Sequence, residues 1–197
     1  MEKFIVKNAV MTDLKYVQDV VDALIDAASH KGTGIAIRSH EYITEKILEG
    51  KAVIATTESG RWAGFCYIES WGHNKFVANS GLVVPKAFRG NGIAKAIKEK
   101  AMHLSLKQFP GAKLFGLTTS LSVMKINSDL GYSPVTFSEL TDDTEFWKGC
   151  ESCPYYDILI RTKRSHCLCT GMLMDPEKNT TKLKEEKLKT QKITILG

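Results

Sequence analysis

The sequence predicts an α/β fold, and three observations carry that prediction. Residues 80–109 read as a strand, a glycine turn and a helix in succession: Gly81-Leu82-Val83-Val84 is apolar up to Pro85, Arg89-Gly90-Asn91-Gly92 is a turn, and Ile93, Ile97, Ala101 and Leu104 recur at helical spacing. Residues 52–70 read as a β-hairpin turning at Glu58-Ser59-Gly60. Leu14, Val17, Val21, Leu24 and Ala28 line one face of a helix whose other face carries Lys15, Gln18, Asp19, Asp22 and Asp26. The chain has 197 residues and 43% hydrophobic content, enough for one core.

The remaining elements follow in chain order. Phe4, Ile5 and Val6 begin a first strand, and Thr12 or Asp13 is placed to cap the helix after it. Lys31-Gly32-Thr33-Gly34 is a loop by composition. Ser39 caps a shorter helix that ends at Gly50. Residues 76–84 pair next and lead into the glycine turn. Gln108-Phe109-Pro110-Gly111 stops the long helix, and residues 113–119 form a strand. Val123, Ile126 and Leu130 mark a short helix closed by Gly131. Residues 134–137 and 156–161 (YDILIR) are the last two strands expected in the domain. No internal repeat is present.

Composition narrows the function. The net charge of +5 is mild and fits a polyanionic small ligand as well as it fits nucleic acid. No apolar run reaches membrane-spanning length and the N-terminus has no signal-peptide pattern, so a cytoplasmic protein is expected. Five cysteines in that compartment argue against a disulfide framework.

A strand, a glycine turn and a helix N-terminus together make an anion site. The first helical N–H groups have no internal acceptor, and missing side chains at Gly90 and Gly92 admit a phosphate to them. A Walker loop is absent, and Lys95 occupies the third glycine position that a dinucleotide fold requires. The pattern present is R-x-x-G-x-A, at Arg89, Gly92 and Ala94. It resembles the coenzyme A loop of the GCN5-related N-acetyltransferase superfamily, and the element order matches that family over residues 1–162. The resemblance implies a central, mostly antiparallel mixed sheet splayed between its fourth and fifth strands, with helices on both faces. It implies acetyl-CoA, or another short acyl-CoA, bound along Leu82, Val83 and Val84, with pyrophosphate on the loop of Arg89, Gly90, Asn91, Gly92, Ile93, Ala94 and Lys95. Backbone amides there would stabilise the oxyanion, and much of the catalysis would be orientation.

The sequence departs from the family at its usual catalytic positions. The fourth strand offers Val77-Ala78-Asn79-Ser80 and no acid, so Glu69 is the candidate base and His73 the second. The usual tyrosine proton donor is replaced by Asn127, which can hydrogen-bond the sulfur or the pantetheine; Ser120 stands where the family commonly has Asn. Residues 117–119 with Pro134-Val135, GTGIAxRSxEYI at 32–43 and FWKGCxSC at 146–153 resemble N-acetylglutamate synthases and a group of acetyltransferases associated with arginine biosynthesis. That resemblance implies a small amino acid, glutamate foremost, as the amine acceptor. Arg38, and second Arg161, are candidates for its carboxylates. Acetylation of a protein or polyamine, and a non-catalytic CoA-binding regulatory module, stay open as alternatives. A homodimer is left open; nucleic acid and membrane are not expected partners.

Residues 163–197 are expected to form a C-terminal extension. Cys150, Cys153, Cys167 and Cys169 follow a C-x2-C-x13-C-x-C spacing that predicts a structural zinc, with His166 as a possible substitute ligand and simple packing as the alternative. The Lys/Glu-rich tail has Leu183 and Leu188 as apolar positions and reads as a solvated helix or a disordered segment. Residues 193–196 have the composition of a last strand.

Overall fold

The structure, a computed structural model, describes residues 2–178. Seven strands form one sheet in the order β1-β2-β3-β4-β5-β7-β6. They are β1 (Phe4–Asn8), β2 (Ala52–Thr57), β3 (Trp62–Trp71), β4 (Phe76–Val83), β5 (Lys113–Thr118), β6 (Ser133–Val135) and β7 (Thr170–Met174). Adjacent strands are antiparallel except β4 and β5, which run parallel. The helices are α1 (Val17–Ser29), α2 (His40–Leu48), α3 (Ile93–Gln108), α4 (Leu121–Asp129), α5 (Thr144–Lys148) and α6 (Tyr156–Arg161). No helix among the described residues is long and apolar enough to cross a membrane.

The strand alternation sorts the core onto two faces. Val53, Ala55, Cys66, Ile68 and Val77 pack with Ile93, Ile97, Ala101 and Leu104 of α3. Ala52, Ile54, Phe65, Tyr67 and Val83 face the other way and pack with Val17, Val20, Val21 and Leu24 of α1 and Ile43 and Ile47 of α2. Helices therefore cover both faces, as expected. A third cluster joins Ala78, Phe115, Phe137, Trp147 and Leu159, so α5 and α6 close the far end of the sheet.

Local signals act where the sequence placed them, with two differences. Ser39 Oγ accepts from the Tyr42 N–H at 3.2 Å and caps α2. Residues Met11–Tyr16 form a 3-10 turn ahead of α1. Asp13 there accepts from the Val10 N–H at 2.9 Å and pairs with Lys7 at 2.8 Å, so α1 proper starts at Val17. Residues 156–161 are helix α6, not the expected strand. Ile158-Leu159-Ile160 is too short a run to distinguish the two periods. In the folded chain Tyr155, Tyr156 and Leu159 share one side against the third cluster, while Ile160 is exposed. The strand position is filled by Thr170–Met174, which pairs with both β5 and β6. Residues after 162 thus contribute to the sheet. The chain beyond Lys178, with Leu183, Leu188 and residues 193–196, lies outside the described residues.

The feature that positions the site is the parting of β4 and β5. Their pairing covers Phe76–Lys113, Val77–Leu114 and Ala78–Phe115, after which β4 continues to Val83 and β5 to Thr118. Gly81 bends β4 here with φ of +64°. A Cβ at Gly81 would stand 2.7 Å from the Tyr67 ring, so the glycine also makes room for that side chain. Gly81→Ala is expected to destabilise the protein by about 2 kcal/mol, from left-handed strain and the clash together. Urea denaturation should show a lower midpoint at an unchanged slope.

Candidate active site

The glycine turn sits at the N-terminus of α3. Gly92 caps the helix at φ +76°, and the first helical bond runs from the Ala96 N–H to the Gly92 carbonyl at 3.1 Å. The amides of Ile93, Ala94 and Lys95 therefore have no acceptor within the helix. Side chains pin the turn from behind. Arg89 Nε donates to the Val84 carbonyl at 3.0 Å, and Asn91 Nδ2 donates to the Phe88 carbonyl at 3.1 Å. A Cβ at Gly90 or Gly92 would meet nothing within 4 Å, so the space over the amides is open. Lys95 bridges to Asp129 of α4 at 2.9 Å, tying the two helices that flank the turn.

The parted strands open a cavity of about 430 Å³. Leu82, Ser120 and Asn127 line it; Val83 and Val84 turn into the two cores, and residues 89–95 stand outside it, the turn at 89–92 exposed and Ile93 buried at the start of α3. Ser120 caps α4, its Oγ accepting from the Val123 N–H at 3.4 Å. Asn127 is 1% exposed, and its Oδ1 has no hydrogen-bond partner. A buried acceptor without a donor costs free energy unless a ligand supplies one.

On the α1–α2 side the cavity is polar and charged. Arg38, in the loop before α2, donates through Nε to Tyr67 Oη at 3.0 Å and through Nη1 to the Gly149 carbonyl at 3.2 Å. Its guanidinium stands 5.3 Å from the centre of the Tyr42 ring. A Cβ at residue 149 would stand 3.1 Å from Nη2 and crowd this seat. Burial disfavours the charged guanidinium, but Tyr67, Tyr42 and Glu69 around it outweigh that and raise its pKa. No ion pair among the described residues includes Arg38. Glu69, in contrast, is fully engaged. Its Oε1 accepts from Lys46 Nζ at 2.6 Å and its Oε2 from the Tyr42 hydroxyl. Burial, foremost, raises the Tyr42 pKa, so the phenol stays a donor to Glu69.

The other candidates fall elsewhere. Arg161 is exposed on α6 and His73 is exposed in the β3–β4 turn at φ +56°; neither lines the cavity. Cys150, Cys153, Cys167 and Cys169 do line it, on the wall formed by α5, α6 and the approach to β7. They do not form the expected zinc site: among the described residues no group of three or more His, Cys, Asp or Glu is arranged to hold a metal ion. Cys167 packs in the aromatic cluster with Phe115 and Trp147, and the Cys169 sulfur packs over Gly34. Burial pushes the Cys150 thiol up to about 11 and the Cys169 thiol up to about 12, and the neighbouring cysteines add to both shifts. His166 is exposed.

Three cavity residues escape a reading of local pattern. Tyr42 and Tyr67 read as core aromatics, and only the fold turns their hydroxyls toward Glu69 and Arg38. Lys98 carried a signal. It stands beside Ile97 and three residues before Ala101, within the apolar stripe of α3.

No family model matches the chain, and no curated protein matches its sequence. Its structure is similar to N-acetylglutamate synthase from Neisseria gonorrhoeae, solved with coenzyme A and N-acetyl-glutamate, at TM-score 0.63 and 14% identity. That match covers 88% of this chain and 35% of the other, so the chain spans about a third of that synthase's length. A Mycobacterium tuberculosis protein in complex with CoA matches at TM-score 0.61 and 15% identity, over 87% of this chain and 98% of the other. A GNAT superfamily phosphinothricin acetyltransferase from Sinorhizobium meliloti, in complex with AcCoA, matches at TM-score 0.59 and 14% identity, over 87% and 88%. The splayed sheet, the glycine turn at α3 and these neighbours lead to one conclusion: the chain has the GCN5-related N-acetyltransferase fold.

Proposed function

We propose that this protein transfers an acetyl or succinyl group from its CoA thioester to the amino group of a small amino acid, glutamate foremost. The observation that carries the reading is the parted pair β4 and β5, which leads from an open glycine turn at the N-terminus of α3 to a cavity lined by an arginine with no ion-pair partner among the described residues. The coenzyme-bound neighbours support the donor. The N-acetyl-glutamate bound by the Neisseria synthase supports the acceptor, as does Arg38. A polyamine would need free carboxylates, and the two among the described residues that line the cavity, Glu69 and Glu145, are already paired with Lys46 and Lys148. A role in arginine biosynthesis goes with the glutamate reading.

In this scheme the amides of residues 90–95 hold the pyrophosphate, and the free edge of β4 at Leu82 pairs with the pantetheine. Arg38 receives an acceptor carboxylate on its unused Nη2. The amine must arrive neutral, and Glu69, through the Tyr42 hydroxyl, accepts its proton. Asn127 and Ser120 contact the pantetheine near the thioester. Holding amine and carbonyl together supplies much of the rate.

Two outcomes check the scheme. Gly92→Val puts a branched side chain over the amides and forces it into a left-handed conformation. Calorimetry should show CoA affinity reduced at least about tenfold, or ~1.4 kcal/mol, with the circular dichroism of the fold retained. Unchanged affinity would remove the coenzyme assignment. Arg38→Ala should weaken kcat/KM for glutamate by about 2–5 kcal/mol in transition-state terms, mainly through KM, with CoA affinity nearly unaltered. Arg38→Lys should not restore it, because lysine cannot reach Tyr67 and Gly149 while still presenting a free donor pair. Thiol release with spermidine and none with glutamate would overturn the acceptor assignment.

A further inference from the structure

On the α3 side of the cavity a lysine points inward with almost nothing to bind. Lys98 is 2% exposed and lines the cavity. Its Nζ donates at 3.4 Å to Asn79 Oδ1, which also accepts from the Tyr132 hydroxyl at 2.8 Å. Asn79 is locked in that orientation by its Nδ2, which donates to Ser105 Oγ at 3.0 Å. Nζ lies 5.3 Å from the Tyr132 ring centre. None of the ion pairs among the described residues includes Lys98. An ammonium carries three donors, and a single long contact leaves it poorly satisfied.

The acceptor that lacks a donor lines the same cavity. Asn127 Oδ1, on α4, is buried and unpartnered. An unspent donor from α3 and an unspent acceptor from α4 thus line the same cavity. A sulfur that leaves as thiolate and departs as thiol fits both, since it first accepts a proton and then donates through S–H. The neighbouring groups cannot do this. Asn127 has no acidic proton. Tyr132 does not line the cavity, and burial raises its pKa.

We propose that Lys98 protonates the coenzyme sulfur as the acyl group leaves it, and that Asn127 receives the resulting S–H. The inference rests on the acyl-transfer reading above. The acceptor nitrogen forms the new C–N bond, the C–S bond breaks, and its electron pair goes to sulfur. One proton moves from Lys98 Nζ to that sulfur, giving a thiol and a neutral lysine. The proton lost from the acceptor nitrogen leaves on the Glu69 side, and Lys98 regains a proton from solvent after product release. Burial lowers the Lys98 pKa, which makes the ammonium a readier donor. The titratable groups facing it are Cys66 of β3, whose thiol burial pushes up to about 11, and Tyr132. Cys66 raises the lysine's pKa in part, but burial outweighs it and the net direction is down.

The sign of the pH effect follows. Lys98 is competent as an ammonium, so kcat should fall as pH rises through its lowered pKa. Lys98→Met keeps the length and removes the buried charge. It should lower kcat about a hundredfold, abolish the alkaline fall and leave CoA affinity nearly unchanged. A second measurement needs no acceptor. The ultraviolet absorbance of the thiolate, followed against pH, should show the thiol of CoA bound to the wild type ionising at lower pH than that of CoA bound to Lys98→Met, the burial being the same in both. Unaltered kcat and alkaline limb in the variant, or a bound thiol that titrates alike in the two proteins, would overturn the proposal. Wild-type protein that binds CoA yet releases no thiol with any amine would overturn the acyl-transfer reading instead, and the thiol titration would still report whether Lys98 faces the sulfur.

Discussion

The parting of two parallel strands is the constraint on which the rest of this structure depends. Inside a sheet every strand is hydrogen-bonded on both sides. Here β4 and β5 pair through Ala78 and Phe115 and then separate, so the following residues of each present an edge in the middle of the sheet. An exposed edge usually invites another chain. This one is enclosed, with α3 and α4 on one side and the loop before α2 on the other, so it suits an extended ligand carrying its own amides. Gly81 makes the separation possible: it takes a left-handed conformation that a side chain resists and yields the space filled by the Tyr67 ring. One glycine therefore connects the course of β4 to the seat of Arg38, because Tyr67 Oη accepts from that guanidinium.

The cavity is divided electrostatically. On the α1–α2 side the acid is already neutralised, Glu69 holding Lys46 and Tyr42, while the arginine is held only by neutral partners. That imbalance favours an anion. On the α3–α4 side the polar groups are few and under-satisfied: Lys98 has one long contact and the side-chain Oδ1 of Asn127 has none. Polar groups left in this state inside a packed protein are uncommon and mark places where a ligand completes the hydrogen bonding. The cysteine-rich wall contributes shape rather than charge, since its thiols are kept neutral by burial.

Much of the fold was legible along the chain because local rules are strong there. The β2–β3 hairpin, the Ser39 cap, the amphipathic face of α1 and the turn at Gly90 and Gly92 follow from side-chain period and backbone permissiveness, which act over a few residues. The reading of the glycine turn as an anion site rests on the same local rules. Tertiary packing settled what those rules left ambiguous. YDILIR carries a short apolar run that suits either period, and it became a helix because Tyr155, Tyr156 and Leu159 cover the aromatic cluster while Thr170–Met174 takes the place between β5 and β6. Spacing brought four cysteines to one wall, yet Cys150, Cys167 and Cys169 pack with the aromatic cluster, and no metal-ligand set is found among the described residues. Arg38 and Arg161 were alike as charges in a sequence; the fold half-buried one beside Tyr67 and left the other on the surface. Lys98 belongs to the same class, a charge whose meaning depends on Asn79, Tyr132 and Asn127, which lie far from it along the chain. Secondary structure answers to neighbours within a turn or two, whereas a site is made by residues distant in sequence, and only the closed core brings those into contact.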